Sequence, residues 1–163
     1  MPLSQTLGRI PYSQGMSESY RVGPDHDTVV AYITETFAGV DVVTAMSATF
    51  FSIDPETHWP NFATIVTTDE HDEGAPSNLS ARPEVFRLNI GVSRETFDRL
   101  VGDETDPDYA ALDTLLPHPV YAKQHWVSIL NPTAETFQTR VEPLLREAHD
   151  RLAAPRARHS TAG

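Results

Sequence analysis

The sequence predicts an α+β fold, an antiparallel sheet backed on one face by N- and C-terminal helices. Three observations carry this. Val29, Val30, Ile33 and Phe37 recur at helical spacing near the start of the patterned region. Short runs rich in β-branched and aromatic residues follow one another through the middle. Phe137, Val141, Leu144, Leu145 and Ala148 form a second helical stripe near the end. No internal repeat or heptad array competes with this reading.

Residues 1–23 carry Ser, Gly, Gln and Pro without a sustained period and read as a flexible leader, with Met16 a second candidate start. A helix is expected from about Asp25 to Phe37. Asp25 or Asp27 caps it, and Gly39 stands just beyond its end. Val40–Thr44, Thr49–Ile53 and Phe62–Thr68 read as strands, with Asp54-Pro55 turning the chain after the second. Residues 69–83 form a long polar loop, a length that in a compact domain is mobile or functional. Val85–Val92 is the clearest strand. Phe86, Leu88 and Ile90 share one face, and Arg87 and Asn89 point to the other, wetter one. Ser93 caps a short helix that ends at Gly102. An acidic loop follows, with a helical turn expected around Tyr109–Leu116, and Pro117 and Pro119 hold His118 extended. His125–Leu130 is the next strand. Asn131-Pro132 then starts the last helix, with Asn131 as its cap, and the helix runs to about Leu152. Pro143 should bend that helix or delay its start. The organisation is thus one domain over residues 24–153 and a flexible tail over 154–163.

Composition narrows the function classes. The chain has 163 residues, enough for one domain with a real core. It contains no cysteine, so disulfides, thiolate catalysis and cysteine-held metals are excluded. No apolar run reaches membrane-spanning length and the N-terminus lacks a signal pattern, so a cytoplasmic protein without a membrane partner is expected. The net charge of −11 speaks against a broad nucleic-acid face. Two acidic segments, Asp69–Glu73 and Asp103–Asp108, read as solvated loops.

Candidate site residues fall in two groups. Arg87 and Asn89 project from the less packed face of a central strand, where Arg87 either clamps a carboxylate or phosphate or pairs with a neighbouring acid. His118, Lys123, His125 and Trp126 offer an acid/base, a cation and a flat stacking surface. The plainer alternative packs Trp126 in the core, bonds His125 to a loop and leaves Lys123 in solvent. If both groups share one face, they make a small polar pocket, and Arg87→Ala is expected to abolish binding with the fold intact. The histidines lack metal-site spacing, and no phosphate-loop, dinucleotide or nucleophile motif occurs, so neither metal nor cofactor is expected. His71, within its acidic run, is at most a weak cation ligand.

The segment KQHW (Lys123–Trp126), opening a strand before a long C-terminal helix, and the upstream strand VFRLNIGV resemble the MmcQ/YjbR-like family. A closer likeness is to an uncharacterised group of small bacterial proteins. It is carried by TETFAGVDVV, FATIVTTD, FRLNIGVS, HPVY and KQHWV with LNP, over about residues 28–148. The resemblance implies a frataxin-like (CyaY-like) arrangement, a curved antiparallel sheet backed by two helices. For the wider family it implies a DNA-binding label and, for some members, a place in antibiotic biosynthesis or resistance.

The expected function is a non-enzymatic binding or accessory protein that takes a small anionic or aromatic ligand on the open sheet face. The alternatives are a DNA-binding module of MmcQ/YjbR type, or a small enzyme using His118 or His125 as acid/base.

Overall fold

Asp25 starts the first helix as its residue type requires. Its carboxylate accepts from Thr28 N at 2.9 Å, capping α1 (His26–Thr36). A computed structural model gives the fold over residues 22–162, with side chains described to residue 154. Most of the expected leader, Met16 included, lies outside the described residues. Val22 and Gly23 already pack on the start of the last helix: Ala134 N donates to Val22 O. A Cβ on Gly23 would meet Pro132 O at 2.1 Å.

The strands are β1 (Asp41–Ala45), β2 (Ala48–Ser52), β3 (Asn61–Val66), β4 (Arg87–Gly91), β5 (Leu116–Pro117) and β6 (Trp126–Leu130). They form one six-stranded sheet in the order β1-β2-β3-β4-β6-β5. Every paired strand is antiparallel. α2 (Arg94–Val101) follows β4, capped by Ser93. The chain ends in α3 (Ala134–Thr136), a π-helical stretch Phe137–Val141, and α4 (Glu142–Ala162).

One face of the sheet carries the main core. Val29, Ile33 and Phe37 from the α1 region meet Leu88, Ile90, Val127 and Ile129 from the strands and Leu144, Leu145 and Ala148 from α4. Each fully buried Leu, Ile or Phe contributes roughly 1.5–3 kcal/mol. Glu147 ties α4 to α2, because its carboxylate accepts from Ser93 N at 3.1 Å and from Thr96 Oγ1 at 2.9 Å. The helices-on-one-face expectation describes this core.

Several local expectations are corrected. Asn131 does not cap the last helix. It adopts φ 41°, and its side chain accepts from Phe86 N and donates to Glu84 O. Thr133 is the cap, accepting from Thr136 N. Pro143 does not delay the helix start: helical residues run from Ala134. The π-helical turn just before it widens the backbone where the proline ring would meet the carbonyl four residues back. α4 continues through Ala162, beyond the end expected near Leu152 and into the segment read as a tail. Ala153 and Ala154 are strong helix formers there. No helical turn forms over Tyr109–Leu116. Asp108 makes a tight turn by accepting from Ala110 N, and Leu112 and Leu116 are drawn to the sheet, beside Leu130 and Ser128.

The second face is covered only in part. The long loop after β3 folds back and buries Leu79 with Ala48, Val66, Val85 and Leu130 in a smaller apolar cluster. Asp69 holds that loop, accepting from Leu79 N at 2.8 Å and Ser80 N at 3.1 Å. Asp69–Glu73 is therefore not simply a solvated acidic run. Two of its carboxylates, those of Asp69 and Asp72, are hydrogen-bonded supports, because the loop must satisfy its own backbone and a buried arginine. No helix among the described residues is long and apolar enough to cross a membrane.

Candidate functional site

Beyond the small cluster, the same face holds a cavity of about 460 Å³. Strand alternation supplies its floor. Register pairs Thr64 with Asn89 and Asn89 with Ser128, so these three side chains stand in a row across β3, β4 and β6. Asn89 Oδ1 accepts from Ser128 Oγ at 2.8 Å and from Arg87 Nε at 2.9 Å, and Asn89 Nδ2 donates to Thr64 Oγ1 at 3.0 Å.

A bulge brings in Asn61. The β2–β3 register steps from Phe51↔Ala63 to Ser52↔Asn61, leaving Phe62 as an extra residue. Phe62 and Ala63 both join the main core, and Asn61 is returned to the cavity side. Its Oδ1 is buried and has no hydrogen-bond partner among the described residues.

Arg87 is 1% exposed. Its Nη1 donates to Asp72 Oδ2 at 2.5 Å and Ser77 Oγ at 3.0 Å, and its Nη2 donates to Asp72 Oδ1 at 3.0 Å. The side chains of Arg87 and Asp72 are 1% and 0% exposed. Arg87 thus pairs with an acid of its own chain, the second of the two roles the sequence leaves open. The face expected to be wetter is buried here because the returning loop covers it.

His118 follows β5 and is 5% exposed. Its Nδ1 accepts from Val120 N at 2.9 Å and from Tyr121 N at 3.0 Å. Two backbone donors on one ring nitrogen place the proton of the neutral ring on Nε2. Burial, and then the Arg87 charge, pull the pKa of His118 from 6.5 down to about 3, with Asp72 opposing. The ring is therefore a fixed neutral donor at Nε2, not a general base, near neutral pH.

Aromatic side chains wall the cavity: Phe50, Trp59, Tyr121 and Trp126. Trp59 is 66% and Tyr121 52% exposed, so both stand at the mouth. Trp126 lies against Gly91, where a Cβ would meet its ring at 2.9 Å; only glycine lets the indole settle there.

Of the sequence-derived candidates, the structure gathers Arg87, Asn89, His118 and Trp126 around the cavity. Lys123 is exposed and His125 turns away, its ring edge-on to Phe97 at 5.7 Å. His125 adopts φ 69° to end the turn Ala122–Gln124, and this swings its side chain off the face. His71 also lines the cavity, but its Nε2 donates to Met46 O at 2.8 Å. Among the described residues no group of three His, Asp or Glu is placed to hold a metal ion. Sequence reasoning missed Asn61, Thr64, Tyr121 and Trp59. Trp59 alone carried a signal, as a large aromatic in a turn segment, outside any strand or helix stripe.

Residues 24–162 match DUF6194, a family of unknown function. The chain belongs to this family. The matched span takes in every cavity residue named above, so the DUF6194 domain contains the whole site. No curated protein and no solved structure matches the chain. An uncharacterised family is what the sequence motifs led one to expect.

Proposed function

We propose that this DUF6194 protein is a non-enzymatic binding or accessory protein that holds a small organic molecule in the cavity on the open face of its sheet. One observation carries the reading: an aromatic rim of Trp59, Tyr121 and Trp126 surrounds a polar floor of buried Arg87, Asn89 and His118 and the buried Oδ1 of Asn61. Apolar walls with a few convergent polar groups are the ordinary make-up of a small-molecule site. A histidine locked as a donor and an arginine already engaged by Asp72 suit binding better than acid/base turnover. The reading takes the protein as cytoplasmic and bacterial.

The two tryptophans of the chain, Trp59 and Trp126, both line the cavity. Intrinsic emission therefore reports occupancy directly. Screening a chemically diverse metabolite library should yield compounds that shift or quench it in a saturable way and raise the melting temperature. A library that moves neither quantity would sink the proposal.

A further inference from the structure

Among its described lining residues the cavity holds no lysine and no unpaired arginine. Arg87 is neutralised by a two-point pair with Asp72, both buried. His118 is neutral and offers Nε2–H, since its Nδ1 is filled by two backbone donors. His71 is engaged by a backbone carbonyl. The remaining polar lining is amide and hydroxyl: Asn61, Thr64, Asn89, Tyr121 and Gln124. An anion entering here would lose its water and meet no lysine or unpaired arginine in the lining, and it would approach a chain of net charge −11.

The polar groups with capacity left are of both kinds. Asn61 Oδ1 is a buried acceptor without a partner among the described residues, a state that costs free energy until a donor arrives. His118 Nε2–H is a donor without an acceptor among the described residues. The walls of the cavity are aromatic and favour a flat ring.

We infer that the ligand is an uncharged, planar heterocycle of lactam type, whose ring N–H meets Asn61 Oδ1 and whose carbonyl faces the neutral donors that line the same cavity. The inference rests on the binding reading above and narrows it, setting aside the anionic ligand that Arg87 first suggests. The aromatic bicycle stacks on the tryptophans that wall the cavity, Trp126 and Trp59.

Isothermal titration calorimetry with three matched bicyclic probes tests it: 2-quinolone, N-methyl-2-quinolone and 2-naphthoate. In the wild type, 2-quinolone should bind, and N-methylation should weaken binding about ten-fold or more by removing the donor to Asn61. The naphthoate anion should bind weaker still. Asn61→Ala should weaken 2-quinolone by a similar factor and leave the N-methyl compound nearly unaffected. Naphthoate binding as tight as quinolone, or N-methylation without effect, would overturn the inference; both are read on the wild type, whatever Asn61→Ala does to folding. Heat from none of the three, with library compounds still shifting tryptophan emission, would overturn the lactam class and leave cavity binding standing. Silence in both experiments would remove both.

Discussion

Arg87 and His118 show how burial changes what a side chain can do. An arginine on a strand face looks like an anion clamp, yet here its guanidinium is the buried partner of Asp72. Its removal would leave that carboxylate buried and unpaired, so Arg87→Ala disturbs folding and cannot isolate binding. His118 makes a sharper case. Its folded pKa, about 3, lies below its ordinary 6.5. Above the ordinary value the ring is neutral in both states and stability is complete. As pH falls below it, the unfolded chain takes up a proton that the folded chain refuses, and stability falls by about 1.4 kcal/mol per pH unit. The loss continues until the folded ring itself titrates. Urea denaturation between about pH 6 and about pH 4 should show this one-proton slope in the wild type. His118→Asn, whose side-chain oxygen can replace Nδ1 as acceptor, should lack it. Equal slopes in the two proteins would show that His118 does not drive the pH dependence.

At the scale of elements, three devices place the site. The bulge at Phe62 reverses the phase of β3 and presents Asn61. The left-handed turn at His125 starts β6 so that Trp126 faces Gly91. The loop held by Asp69 carries Asp72 and Ser77 onto Arg87. The last helix depends on Thr133, whose own backbone N and hydroxyl are held by Asp113 at 2.8 and 3.4 Å. Thr133→Ala should therefore lower unfolding free energy by about 1 kcal/mol, the usual cost of a lost cap. A guanidinium melt that leaves the midpoint unchanged would show that the cap contributes nothing. The Asn-Pro pair reads as a helix start for sound local reasons. It fails as the cap because Asn131 is recruited to bond the strand entry at Phe86.

The whole molecule sets the long-range field. A net charge of −11 on a domain of this size repels polyphosphate, and the positive charge of Arg87 is buried and paired. Labelled single- and double-stranded DNA should therefore show no salt-sensitive rise in fluorescence anisotropy with this protein, even at low ionic strength. Binding that weakens as salt is added would restore the DNA-binding alternative.

Sequence by itself determined the α+β class, the first helix and its Asp25 cap, the β4 alternation and the Ser93 cap. Each follows from spacing or residue type within a few neighbours, and such local preferences survive in the folded chain. It also singled out Arg87, Asn89, His118 and Trp126, because alternation on β4 and the polar character of the 118–126 segment are visible along the chain. Only the tertiary structure decided which of them meet, that Lys123 and His125 stand apart, and that Arg87 is neutralised by Asp72. Those outcomes depend on register, on one bulge and on the return path of a loop. They bring together residues distant in sequence, and no local periodicity encodes that proximity. The chemistry of the cavity, neutral and two-sided in hydrogen bonding, is a property of those contacts and not of any one residue.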